Sequence, residues 1–128
     1  MRLLLDTHAF LWSLEGSDRL SGKARAAIQN GANEKLVSYA TLWEITIKVA
    51  LGKLELETPW EDTLRHIERV APGTVLACTE GDLAVLLGLP QHHRDPFDRM
   101  LIAQALTEDF TLISNEALFD QYGVKRLW

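Results

Sequence analysis

MRLLLDTHAF, residues 1–10, carries the fold in miniature. The apolar run Leu3–Leu5 stops abruptly at Asp6-Thr7, and an amphipathic stretch follows. This reads as a short strand feeding a helix from His8 to about Leu14. The strand is unbroken rather than alternating, the pattern of a parallel strand covered on both faces. The same unit recurs along the chain. Leu36–Tyr39 is a second strand, after which Thr41-Leu-Trp-Glu44 fits a capping box and opens a helix to about Leu51, stopped by Gly52. Thr74–Cys78 is a third strand, followed by a helix over Thr79–Leu87. Thr111–Ile113 is a fourth, followed by a helical turn over Glu116–Gln121, and Val124–Leu127 closes the series. Between these units, Ser21 caps a helix to Ile28. Thr58-Pro59-Trp60-Glu61 opens another to about Val70, broken at Pro72-Gly73. Asp95-Pro96 starts a helix through about Leu106, after a polar loop over Leu89–Arg94. Strands alternating with helices predict an α/β fold with a mainly parallel sheet.

The 128 residues suit one domain, 1–128, without an internal repeat or linker. Hydrophobic residues at 47% and charged residues at 24% describe an ordinary globule with a substantial core. The leader reaches Asp6 too early for a signal peptide, and no apolar run approaches a membrane span. The single cysteine, Cys78, has no internal disulfide partner. A cytoplasmic protein is expected. With 13 basic and 18 acidic residues the formal charge is −5, unlike that of a phosphate-binding surface built from Lys and Arg. Acids gathered into one metal site, however, would count toward that charge without covering the surface.

Ligands of parallel sheets bind beyond the carboxyl ends of the strands, so the residues there are the ones that matter. Asp6 directly follows the first strand. Glu44 stands in the first turn after the second, Asp98 in the first turn of the Asp95-Pro96 helix, and Glu116 three residues after Ile113. Each has an ordinary explanation. Asp6 and Thr7 can cap the first helix, Glu44 completes the box with Thr41, Asp95 is a natural N-cap with Asp98 at N3, and Glu116 complements a helix dipole. Together they are harder to explain by capping alone. Several carboxylates at one edge repel unless a cation offsets them. Mg²⁺ or Mn²⁺ takes such oxygen sets and leaves room for a phosphate, which it can activate toward hydrolysis. Setting the four aside from the 18 acids leaves 14 against 13 bases, a nearly neutral remainder.

At this point the segments LLLDTHAFLW (3–12), WEI (43–45), HRDPFDRMLIAQA (93–105) and TLISNEALFDQYGVKRLW (111–128) resemble the PIN-domain ribonucleases, and within them the VapC-type toxins of prokaryotic toxin–antitoxin pairs. The resemblance runs nearly end to end. It implies a three-layer α/β/α sandwich, an acidic Mg²⁺/Mn²⁺ site, endoribonuclease activity on RNA, a homodimer and inhibition by a cognate antitoxin protein. Carried over by position, Asp6 and Asp98 become the main metal ligands and Glu44 a ligand or a partner of one. The fourth acidic position falls on Glu116, where relatives commonly have Asp, with Asn115 as its neutral neighbour. Asp95 takes a capping role with a supporting contact to the site.

Other residues are weighed on the same footing. Thr7 and Ser114 could hold the carboxylates or an attacking water, or simply cap helices. Arg94 and Arg99 bracket the acidic pair and could contact RNA phosphates or pair with a carboxylate. Lys48 forms the favourable i,i+4 pair with Glu44. His92 and His93 match no compact zinc spacing and read as a solvated loop, while His8 and His66 read as helix-surface residues. Cys78 reads as a buried strand residue. Trp12, Trp43 and Trp60 read as core. The helix at 42–51 is apolar on more than one side, so with the helix at 60–70 it is expected to form a groove for an antitoxin segment. Two rivals remain: a catalytically silent module of the same fold, and a receiver-type signalling domain that gathers acids around Mg²⁺. The receiver type would need an acidic pair after the first strand and a late Lys.

Overall fold

The computed structural model describes residues 1–70 and 73–128. Its elements in chain order are β1 (Arg2–Leu5), α1 (Thr7–Glu15), α2 (Gly22–Gln29), β2 (Glu34–Ser38), α3 (Tyr39–Ala50), α4 (Trp60–Val70), β3 (Val75–Leu76), α5 (Glu80–Leu87), α6 (Pro96–Glu108), β4 (Thr111–Ile113), a 3₁₀ segment (Ala117–Tyr122) and β5 (Lys125–Leu127). The strands form one sheet in the order β3-β2-β1-β4-β5, every neighbouring pair parallel. This differs from the 2-1-3-4-5 order of receiver-like folds, and that rival falls.

Register explains the continuous apolar runs. Leu4 of β1 lies opposite Leu36 of β2 and Leu112 of β4, while Leu5 lies opposite Val37 and Ile113. Because successive strand residues face opposite ways, the first set enters one core and the second another. Leu3, Leu5, Val37 and Ile113 pack with Ala9 and Phe10 of α1, Ala24 of α2, Ile45 of α3 and Trp60 of α4. Leu4, Leu36 and Leu112 pack with Leu101, Ile102 and Ala105 of α6, Phe110, and Phe119 of the 3₁₀ segment. Helices therefore cover both faces, giving the expected α/β/α layering.

Several boundaries differ from the sequence reading. The α3 helix starts at Tyr39, because the Ser38 hydroxyl, not that of Thr41, accepts the first-turn N–H of Ala40. Thr41 is then an interior helix residue, its Oγ1 buried and unpartnered among the described residues, and Glu44 completes no capping box. The real capping box is at Thr79 and Asp82, ahead of α5. The third strand shrinks to Val75–Leu76, which leaves Cys78 beyond its end and exposed rather than buried. Pro72, read as a helix breaker, lies outside the described residues. Asp95 caps α6 as expected, and that helix runs on to Glu108. Glu116 likewise caps the 3₁₀ segment, as its position suggested. Among the described residues, no helix is long and apolar enough to cross a membrane.

Candidate metal centre

The strand order puts the ends of β1, β2 and β4 side by side, and the acidic residues follow from these ends. Asp6 leaves β1 as the N-cap of α1. It is buried, and its Oδ1 accepts the Ala9 N–H at 2.8 Å. Its backbone N–H donates to Ile113 O at 3.1 Å, tying the β1 end to β4. Burial raises the Asp6 pKa above the ordinary value. Hydrogen bonding from Ser114 and Ala9 and the nearby His8 work against the rise, and the Glu44 charge adds to it. Ser114 is itself fully buried and accepts the Glu116 N–H at 3.0 Å.

Glu44 lies one turn inside α3, buried, with both oxygens engaged. Thr7 donates its hydroxyl proton to Oε1 at 2.7 Å, and Lys48 Nζ donates to Oε2 at 2.7 Å. The expected i,i+4 pair is present, and Thr7 holds a carboxylate, that of Glu44. Lys48 feels Glu44 first, then Asp95 and Asp98, and its pKa is raised.

Asp98 occupies the first turn of α6 exactly three residues after its cap, Asp95, whose Oδ1 accepts the N–H groups of Phe97 (2.8 Å) and Asp98 (3.0 Å). Its pKa is pushed up to about 7, first by burial and then by the charges of Asp95, Asp6, Glu44 and Glu116. Five carboxylates from four separate segments thus stand beyond the strand ends, near enough for their charges to act on Asp98. Glu116 and Asn115 stand at the exposed rim, with the Glu116 Oε1 accepting the Leu118 N–H at 3.3 Å.

Among the described residues, no three acidic, His or Cys side chains are already converged as a coordination shell. Asp6 accepts from Ala9, Glu44 from Thr7 and Lys48, and Glu116 from Leu118, while Asp98 stands against the His93 ring. The donor set is nonetheless all carboxylate oxygen, suited to a hard cation such as Mg²⁺ or Mn²⁺.

Two basic residues part company. Arg94 is exposed beside the site. Arg99 is buried, and its guanidinium donates to Pro90 O (2.8 Å), Tyr122 Oη (3.2 Å), His93 O (3.4 Å) and Leu89 O (3.4 Å). It ties down the 89–93 loop and does not face a phosphate. His93, read as a solvated loop residue, is instead part of the site. Its Nε2 stands 3.1 Å from Asp98 Oδ2. The available signal was its position two residues before the Asp95 cap, which brings the ring over the first turn of α6.

Away from the carboxylates, Trp60 is core, as expected, and its Nε1 donates to Thr46 Oγ1 at 2.9 Å. Trp43 is not. It is 61% exposed and forms an i,i+4 stripe along α3 with exposed Tyr39, Ile47 and Leu51. Beside this stripe, Leu42, Thr46, Leu64 and Ile67 line a groove of about 670 Å³ between α3 and α4.

A family model described as the PIN domain matches residues 3–125. No curated protein sequence matches the chain. Among solved structures, the chain is similar to FitAcB from Neisseria gonorrhoeae, with 18% identity, a TM-score of 0.70, and 97% of this chain and 95% of that one covered. It is similar to VapBC-1 from nontypeable Haemophilus influenzae at 20% identity and TM-score 0.64, covering 98% and 96%. It is also similar to VapBC2 from Rickettsia felis, solved on a DNA fragment from its promoter, at 14% identity and TM-score 0.71, covering 98% and 97%. At these identities the structural likeness speaks for the fold.

Proposed function

The chain belongs to the PIN-domain family, and on that premise we propose that it is a Mg²⁺- or Mn²⁺-dependent endoribonuclease and the toxin of a toxin–antitoxin pair. The observation that supports the nuclease reading is the placement of Asp6, Glu44, Asp95, Asp98 and Glu116 just beyond the strand ends, near enough that their charges, after burial, add to the raised Asp98 pKa.

In this reading Asp6 and Asp98 would hold the ion, with Glu116 at the rim and Glu44 beside them on α3, its oxygens held by Thr7 and Lys48. Bound there, the ion would supply Lewis-acid polarisation of a phosphodiester and a hydroxide at neutral pH. The protein's own groups do the positioning. Asp95 fixes the backbone of the turn that carries Asp98. Thr7 and Lys48 hold the Glu44 carboxylate from both sides, and Ser114 sits between Asp6 and Glu116. Arg94, exposed at the same edge, is the candidate contact for an RNA phosphate.

The exposed stripe on α3 and the groove beside it suit an apolar antitoxin segment. The structural neighbours titled VapBC support such a partner. In the same reading the protein acts in the cytoplasm as a homodimer, silent while the antitoxin is bound. The test is cleavage of end-labelled single-stranded RNA and DNA of one sequence, in Mg²⁺ and after EDTA. RNA cut in Mg²⁺ alone, with DNA intact, is the expected result. Hydrolysis that survives EDTA, or survives Asp6→Asn, refutes the metal site.

A further inference from the structure

We infer that the exposed ring of His8 is a stacking platform for one nucleobase of a single-stranded RNA substrate. The inference rests on the nuclease reading above and adds a base-binding position to it, one that needs no metal in place.

The platform is built on α1. His8 and Trp12 stand one helical turn apart, and their rings stack nearly parallel, with centroids 5.2 Å apart and 22° between the planes. Trp12 in turn meets the Trp128 ring at 5.9 Å and 55°. Both indoles are half-buried and pack against the core that contains Phe10 and Trp60, so the stack has a fixed backing. His8, at its outer end, is exposed, and among the described residues its side chain has no hydrogen bond or ion pair. Helical side chains lean toward the helix N-terminus. Trp12 therefore covers one face of the imidazole, and the other is turned toward the start of α1, where Asp6 stands as the N-cap. His8 is near enough for its charge to be felt by Asp6.

An i,i+4 ring pair is by itself a modest helix contact. This one begins two residues after Asp6, beside the carboxylates proposed to act on the phosphodiester. Charge gives RNA little hold there. The chain carries a formal −5, Lys48 is paired with Glu44, Arg126 with Asp120, and Arg99 is buried on carbonyl groups. Stacking does not depend on charge and accepts any base, because every base has a π face. The backing also carries a cation for a neighbouring phosphate: the Arg19 guanidinium lies 5.9 Å from the Trp12 ring centroid and has no ion pair among the described residues. A base reaches such a face only when unpaired and splayed out, which restricts the substrate to single-stranded segments.

The experiment is fluorescence anisotropy with a short single-stranded oligoribonucleotide, in EDTA and again in Ca²⁺, each base in turn replaced by an abasic site. At the stacked position wild type is expected to lose roughly 5- to 150-fold in affinity, the worth of one base on an aromatic ring. His8→Ala should bind the intact strand more weakly by a similar factor and lose nothing further at that abasic position. His8→Phe keeps a ring without the charge and should restore both the affinity and the abasic penalty. Because His8 is exposed, both variants should melt as wild type does. The inference is overturned if His8→Ala binds the intact strand as wild type does. Loss of antitoxin capture by that same variant in a two-component pull-down would then reassign the ring to a protein contact. A His8→Phe variant as weak as His8→Ala overturns it too, by assigning the loss to charge. Wild type that binds the strand in neither buffer removes the nuclease reading together with the inference, an outcome seen on the unmutated protein and so distinct from a failure of His8.

Discussion

Asp98→Asn should make the metal-free protein more stable. The Asp98 pKa is raised from 3.8 to about 7, with burial as the largest cause and the four neighbouring carboxylates following. An acid whose folded pKa lies above its unfolded one destabilises the fold as it ionises. The penalty is absent below pH 3.8, grows through the interval, and is complete above about pH 7. A rise of about three units corresponds to about 4 kcal/mol at 1.36 kcal/mol per unit. The side chain is 26% exposed, and solvent screening reduces this to about 2 kcal/mol. Asn is nearly isosteric, so the change removes the charge and little else. For a chain of this size, about 2 kcal/mol raises the melting temperature by roughly 6–10 °C. The assay is thermal denaturation in EDTA from pH 5 to pH 8. The variant should melt above wild type at pH 8, and the gap should narrow as the pH falls. Added Mn²⁺ should raise the wild-type melting temperature and leave the variant's unchanged. Equal melting at pH 8 in EDTA, with equal response to Mn²⁺, would refute the claim that these carboxylates crowd one site.

Three further substitutions separate the roles assigned to individual residues. Arg99→Ala strips hydrogen bonds from the Leu89, Pro90 and His93 carbonyls and from Tyr122. It should cost roughly 2–3 kcal/mol, read as a lower urea midpoint with faster amide exchange in the 89–93 loop. Arg94→Ala should leave the urea midpoint unchanged while weakening RNA binding and reducing its salt dependence by about one counterion, measured by fluorescence anisotropy. Trp43→Asp, on the exposed α3 stripe and in edge contact with Phe97, should cost at most about 1 kcal/mol of stability yet abolish antitoxin capture in a two-component pull-down.

The central parts of the fold were legible because they depend on local pattern. Leu3–Leu5 and Thr111–Ile113 are short unbroken apolar runs, and the structure pairs Leu4 with Leu112 and Leu5 with Ile113. Asp95-Pro96 announces the start of α6 by its own chemistry. The misreadings concern residues whose role is set by distant partners. Thr41 and Glu44 have capping-box spacing, but Ser38 takes the cap and Thr7, 37 residues away, claims the Glu44 carboxylate. Arg99 resembled a surface cation until Tyr122 and the 89–93 carbonyls enclosed it. Cys78 looked like a strand residue because the sequence could not show that β3 pairs with β2 only through Val75 and Leu76. His93 was hidden for the same reason: its ring packs on Phe119 and its backbone N–H donates to Tyr122, both from the far end of the chain.

The central claim is that the Asp6–Asp98 edge hydrolyses RNA through a bound cation. Its most direct test is cleavage of total cellular RNA by EDTA-stripped, antitoxin-free protein to which Mn²⁺ is then restored, beside Asp98→Asn handled identically. The account predicts discrete fragments from wild type once Mn²⁺ returns and none from the variant, although the variant remains folded. Intact RNA from wild-type protein that has demonstrably bound Mn²⁺, or equal fragmentation by Asp98→Asn, would contradict it.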